Sequence, residues 1–372
     1  MADIKTHLRE LTVATTVGLL KSGASTDVTQ LYDSKEFFRL ASAVVSNDIS
    51  SAQNLLDYPV FTGELRDIVN NGFKLGVAIY KNPHFKITRS DLIYWLGNNT
   101  QKADPVDVQI GQYGFSLKED SFILKNMGLY QLLNHLTGSN YARGLHVFRD
   151  FASNEYDAWF AYTWKLLIDT LTPNKVWHYG LAPKQAKIAI VGSFVELSYM
   201  GYVSCVPVGI STNAEFMDYT TSLTREKVFS RWINKGMGFD PTYTKLKKIC
   251  AETAGAVVSG FINDHFAPAH VYDFLQILNH EYYYAKTTYA ETTILRVPGK
   301  KDFNSVIQFL GCRYDVPFSQ LNIITQFQNK NTGKILEFRN ECRFSHGQFN
   351  GTPEAKMYVV YDTPLSELYE PI

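Results

Sequence analysis

The spacing of apolar residues changes character between residues 80 and 106, and that change excludes a fold built from one kind of element. Up to residue 80, apolar side chains recur at helical intervals in Leu8–Leu20, Phe37–Val45 and Leu65–Ile79. Residues 106–118 instead alternate around Gly111-Gln-Tyr-Gly114, which predicts a β-hairpin. A helix is expected next, capped by Ser121, buried through Leu124, Met127, Leu132 and Leu136, and ended by Gly138. Residues 145–171 read as further helix, Ile188–Ile210 as strands, and Thr224–Lys235 as a helix stopped by Gly236. Strands return over 292–344, with Asn331-Thr-Gly333 turning between Ile323–Phe327 and Ile335–Arg339. Helices and strands mixed without regular alternation predict a mixed α+β fold with insertions. The length, 372 residues, suits two domains or one elaborated domain. The expected division is a helical region and core over 1–215 and a second region over 216–372.

Charge narrows the partners. The chain holds 36 Lys+Arg against 36 Asp+Glu, which excludes a histone-like binder of any polyanion. The balance is uneven along the chain, acidic over residues 1–70 and basic over 225–248. The four cysteines, Cys205, Cys250, Cys312 and Cys342, form no CxxC pair, so they read as reduced thiols of a cytoplasmic protein. The apolar run Leu11–Leu20 is preceded by Asp3 and Glu10 and closed by Lys21, which fits an amphipathic helix and no signal peptide. The uncharged stretch Leu197–Ala214 contains Pro207 and reads as buried strands, so no membrane partner is expected.

The residues that carry chemistry lie in Ala103-Asp104-Pro105-Val106-Asp107-Val108-Gln109-Ile110 and Phe115-Ser116-Leu117-Lys118. Side chains alternate along a strand, so Ser116 and Lys118 share a face, and Asp107 on the preceding strand comes beside them. A carboxylate there offers a hard oxygen to a divalent cation such as Mg²⁺, with the Leu117 carbonyl as a further ligand. The lysine can orient water and stabilise charge on a phosphate. An ordinary surface hairpin would show the same two charges. The flanking Val106, Val108, Ile110, Phe115 and Leu117 argue instead for a half-buried sheet, where a paired carboxylate and lysine need a reason.

This arrangement resembles the PD-(D/E)XK nucleases, and among them the type II restriction endonucleases. The resemblance covers Asp104 to Lys118 and the helical segment before it. Asp107 matches the first carboxylate and Lys118 the lysine, while Ser116 stands where the second acid is usual. The resemblance implies a restriction-endonuclease-like core, a central mixed sheet flanked by helices. It also implies Mg²⁺-dependent cleavage of double-stranded DNA by a homodimer. The missing acid is expected from Glu64, on an upstream helix, as a catalytic residue and metal ligand beside Asp107. Leu132, a position some relatives use, is apolar, and Glu119 should face away from Lys118.

Two further segments suit DNA. In Thr224–Lys235, Lys227, Arg231 and Lys235 fall at i,i+4 intervals and form a basic stripe beside Phe229 and Trp232. In Glu337–Lys356, Arg339, Asn340, Arg343, His346, Gln348 and Asn350 are side-chain types that read base edges. A solvated amphipathic helix and a polar turn are the plainer alternatives. His265, His270 and His280-Glu281 lack zincin spacing and read as structural. The sequence contains no GxxxxGK[ST] loop, so no nucleotide cofactor is expected.

Overall fold

A computed structural model describes residues 4–24, 27–97, 105–118, 123–174, 176–236, 240–275, 277–287, 291–303, 306–344, 346–359 and 369–372. The helical period of the first 80 residues becomes α1 (Ile4–Ser22), α2 (Ser34–Val44) and α3 (Glu64–Lys81). Asp33 caps α2 through the Glu36 amide. Helices α1 and α3 run side by side and very close. A Cβ at Gly72 or Gly76 would fall within 3 Å of the Thr12 or Thr16 Cβ, so only glycine permits this contact.

The chain then enters an antiparallel meander of β1 (Ile93–Trp95), β2 (Val108–Ile110) and β3 (Tyr113–Lys118). Gly111 takes the turn with φ +56°, a conformation that favours glycine. The sheet continues with β9 (Tyr282–Thr287), which pairs parallel to β3, then β10 (Thr292–Val297) and β15 (Glu370–Pro371). Strands from both sides of the expected 215/216 division therefore share one mixed sheet.

That sheet separates two cores. Along β9, Tyr283 and Ala285 join α1–α3 in the first core, while Tyr282 and Tyr284 join the second. The second core is larger and holds α4 (Leu129–Thr137), α5 (Val147–Phe151), α6 (Ser153–Asn174) and the inner faces of two more sheets. One is the antiparallel β5 (Val176–Tyr179), β6 (Ala186–Val191), β7 (Phe194–Tyr199) and β8 (Tyr202–Pro207). The other runs in the order β11 (Ile307–Asp315), β12 (Asn322–Asn329), β13 (Ile335–Arg343), β14 (Glu354–Val359), β4 (Ile123–Asn126). Short helices α7 (Asn213–Tyr219) and α8 (Ser222–Thr224) lead through a π-turn, Arg225–Phe229, into α9 (Ser230–Gly236). Helix α10 (Pro241–His265) crosses the second core, followed by α11 (Val271–Phe274) and, after β10, α12 (Lys300–Phe303).

Three expectations are corrected. The helix expected from Ser121 begins only at Leu129, because Ile123–Asn126 pairs with β14 as an edge strand; Ser121 lies outside the described residues. Gly138 does end α4, in the left-handed conformation. The helix expected over Thr224–Lys235 contains the π-turn, which changes the angular phase of Lys227 relative to Arg231. The strands expected to be buried over Leu197–Ala214 have one open side, since Tyr202 and Val203 on the edge strand β8 are exposed. The four thiols are free, and three are buried; burial pushes Cys312 and Cys342 up to about 12. No helix among the described residues is long and apolar enough to cross a membrane.

Candidate active site

One end of the mixed sheet gathers the hairpin residues. The Asp107 N–H donates to the Phe115 carbonyl at 2.8 Å, and the Leu96 N–H donates to the Asp107 carbonyl at 2.8 Å. The start of β2 is thereby tied to both neighbours. The Asp107 side chain is held as well, because its Oδ2 accepts from the Leu117 N–H at 2.7 Å. Lys118 Nζ lies 4.0 Å from the same oxygen. Asp107, Leu117 and Lys118 are thus brought together as the spacing predicts. Asp104, Glu119 and Asp120 lie outside the described residues.

A residue that sequence reasoning missed joins them. Glu10, on α1, is only 2% exposed and faces the same end of the sheet. Its Oε2 accepts from the Trp95 indole N–H at 2.8 Å. One helical turn earlier, His7 meets the Trp95 ring edge-on at 5.1 Å. Gly97 sits so close that an added Cβ would fall 1.8 Å from Glu10 Oε2, so a side chain there would occupy the place of the carboxylate. Burial, and then the negative charge of Asp107, push the Glu10 carboxyl up to about 8; the Trp95 bond, Arg9 and Lys118 act the other way. Glu10, Asp107 and Lys118 therefore feel one another's charge across the end of the sheet.

Glu64 is placed elsewhere. It starts α3, is 67% exposed, and pairs with Lys5 at 2.5 Å. Lys5 lies about 7 Å along α1 from Glu10, at 1.5 Å rise per residue. The carboxyl group that α1 turns inward toward Asp107 and Lys118 is that of Glu10. Ser116 shows why the usual second acid is absent. Its side chain is 1% exposed, opposite Tyr284 on β9, and its hydroxyl has no partner among the described residues. A carboxylate there would be buried on the strand beside Tyr284, at a cost in desolvation.

The donor set fits a hard divalent cation. Among the described residues no three His, Cys, Asp or Glu side chains cluster to hold a metal. Glu10 and Asp107 offer two carboxylates, and Leu117, whose N–H meets Asp107, is the residue whose carbonyl could add a third oxygen. Mg²⁺ commonly binds through one or two carboxylates and keeps several waters. A buried carboxyl raised by a second carboxylate is also the state that a bound cation would relieve.

The segments Thr224–Lys235 and Glu337–Lys356 meet each other in space. The buried Arg225 donates to Asn350 Oδ1 at 2.9 Å, and Ser230 Oγ donates to the Gln348 carbonyl at 3.1 Å. Glu226 bridges them, pairing with Lys227 at 2.5 Å and lying 3.7 Å from His346 Nδ1. Arg231 and Lys235 lie over the Tyr179 ring at 5.6 and 5.0 Å, so α9 keeps two members of the basic stripe on an aromatic support. The loop is less open than its composition suggests. Asn340 is fully buried, Asn350 donates to the His346 carbonyl at 3.0 Å, and Arg343 pairs with Glu341 at 2.8 Å. Arg339 stacks on Tyr358 at 5.0 Å. Asn340 is therefore corrected to a core residue, since its alternation on β13 turns it inward. His346 remains exposed and Gln348 half-buried.

Of the rival groups, two have contacts of their own. His265 stacks on Phe261 and bonds its carbonyl at 3.0 Å, and Glu281 is engaged by Tyr283 and Arg296. Among known proteins no family model matches the chain, and no curated protein or solved structure matches it either.

Proposed function

We propose that the chain is a Mg²⁺-dependent endodeoxyribonuclease of the restriction-enzyme type, acting on double-stranded DNA as a homodimer. The observation that carries this reading is the convergence of Glu10, Asp107 and Lys118 at one end of a mixed sheet. The order β1-β2-β3-β9, with β9 parallel to β3 and helices α1 and α3 on one face, supports a nuclease-like core.

In this reading Glu10 and Asp107 would hold the cation, and the Leu117 carbonyl would be a further ligand. When bound, Mg²⁺ neutralises phosphoryl charge and makes its water a stronger nucleophile. Lys118 Nζ orients the attacking water and faces the charge that grows on the phosphate. The water oxygen would bond to phosphorus as the P–O3′ bond breaks, the water's proton passing to solvent and the leaving O3′ taking a proton from solvent. The hydrogen bond from Leu117 keeps Asp107 from swinging away, and Trp95 does the same for Glu10. Arg231, Lys235 and the His346–Gln348 loop hold the duplex through phosphate and groove contacts.

The test is a mixed-sequence plasmid with Mg²⁺. Discrete bands that disappear in Asp107→Ala, Lys118→Ala and Glu10→Ala are expected; intact plasmid with every divalent metal tried would sink the reading. A second reading, a nuclease of the same kind that recognises DNA structure, is favoured by the internal engagement of Asn340, Asn350 and Arg343. It predicts cleavage at mismatches or junctions in place of site-specific bands.

A further inference from the structure

A cavity of about 530 Å³ lies between α9, the first turns of α10 and the turn Pro317–Ser319. Its size is that of small-molecule sites, roughly 300–1,000 Å³. It opens beside the basic helix and the C-terminal loop, since Asn234 and Gln348 both line it. Lys247 enters it half-buried, and no Asp or Glu lines the cavity among the described residues. Burial lowers its affinity for a proton, so an anion placed beside it would favour the charged form. Gln348 Oε1 is buried there without a hydrogen-bond partner. At the rim stands Phe318, 100% exposed and held with φ +51°, followed by Ser319 at φ +61°. Two consecutive left-handed residues without glycine are strained, and such strain concentrates at functional turns.

These features have one chemistry in common. A buried cation wants a phosphate, a buried amide wants a base edge, and an aromatic ring projecting into solvent can stand between bases. We propose that the cavity receives an unstacked nucleotide of the bound DNA, with its phosphate at Lys247, its base edge at Gln348 and Asn234, and Phe318 filling the gap left in the stack. Apolar wedges of this kind unstack base steps, and extruded bases are read in snug pockets by their Watson–Crick edge. The pocket reads DNA and does not cut it, because neither Glu10 nor Asp107 of the candidate active site lines it. The proposal rests on the nuclease reading only for the identity of the polymer.

The experiment uses the full chain in EDTA, with a mixed-sequence duplex carrying 2-aminopurine in one mismatched pair, beside its fully paired counterpart. Unstacking is easiest at a mismatch, so wild-type protein should bind that duplex about tenfold more tightly and brighten the 2-aminopurine. Phe318→Ala should abolish the brightening, and Lys247→Gln should reduce the mismatch preference about tenfold. Equal affinity for both duplexes, or brightening retained in Phe318→Ala, would overturn the proposal. So would binding of free deoxynucleoside monophosphate at Lys247 with no brightening in duplex, which would make the cavity a nucleotide site. Plasmid cleavage with Mg²⁺ separates the two readings: bands without mismatch preference remove the extrusion pocket alone. Brightening without cleavage keeps the pocket and removes the nuclease.

Discussion

The two charged regions of the molecule are built in opposite ways. At the end of the mixed sheet, Glu10 and Asp107 are held by an indole and a backbone amide, and the charge of Asp107 opposes ionisation of the buried Glu10. On α9 and the C-terminal loop, the cations lie on tyrosine rings at a surface open to solvent. The first arrangement is costly without a cation, and its geometry is fixed. The second is cheap and adaptable. On the nuclease reading, chemistry that needs one geometry would use the first, and contact with a long polyanion the second.

The sharpest way to break this contrast is at the carboxylates. Glu10→Ala, Asp107→Ala and Lys118→Ala should each lower plasmid cleavage roughly 100- to 1,000-fold, whereas Glu64→Ala should leave the cleavage rate within about twofold. Equal losses for Glu64 and Glu10 would return the second carboxylate to α3.

Next comes the pH dependence of stability. Because the folded pKa of Glu10 is raised from 4.5 to about 8, the protonated form stabilises the metal-free protein most at low pH. That stabilisation is lost as pH rises through the interval between those values. Metal-free wild type should therefore lose up to a few kcal/mol across it, and Glu10→Gln should lose less, as chemical denaturation at several pH values would show. Mg²⁺ should raise the melting temperature of wild type more at pH 8 than at pH 6, and should do little for Glu10→Gln.

Gly97→Ala probes the same place by volume. Its Cβ would displace the Glu10 carboxylate, costing about 1–3 kcal/mol of stability and most of the Mg²⁺ response. A variant with normal melting and normal Mg²⁺ response would show that the carboxylate has room to move.

The surface region should respond most gently. Arg231→Ala and Lys235→Ala should each weaken duplex binding across all sequences and reduce the slope of log affinity against log salt by about 1. Their Mg²⁺-dependent melting should match wild type. A loss of the melting response would mean that the regions are coupled.

Much of this was legible in the sequence, for identifiable reasons. The hairpin declared itself because Val108, Ile110, Phe115 and Leu117 alternate, and a short turn fixes which residues pair. Asp107 and Lys118 followed from that register. Glu10 did not, because its partners lie far along the chain and contact at that distance leaves no local period. One signal was present: Glu10 stands between Leu8 and Leu11 in a helix buried from His7 to Leu19, so an acid there had to meet something inside. Asn340 misled for the converse reason. Its residue type suits base reading, but its phase on β13 matches Leu336 and Phe338, which point to the core. The strand at Ile123–Asn126 was hidden because its pairing with β14 is likewise distant.

The parallel pairing of β3 with β9 has a consequence for how the protein is made. Residues 119–281 intervene, and a parallel contact across so long a loop forms late. During synthesis the hairpin with Asp107 and Lys118 leaves the ribosome long before the strand that covers its edge. Until then β3 is an open border, prone to pair with a stranger's strand. A chain truncated at residue 215 would keep that border permanently. On the nuclease reading, this ordering acts as a timer: nascent chains carry the catalytic side chains in an unfinished sheet, and the tool for cutting DNA is assembled only as the last third of the polypeptide arrives.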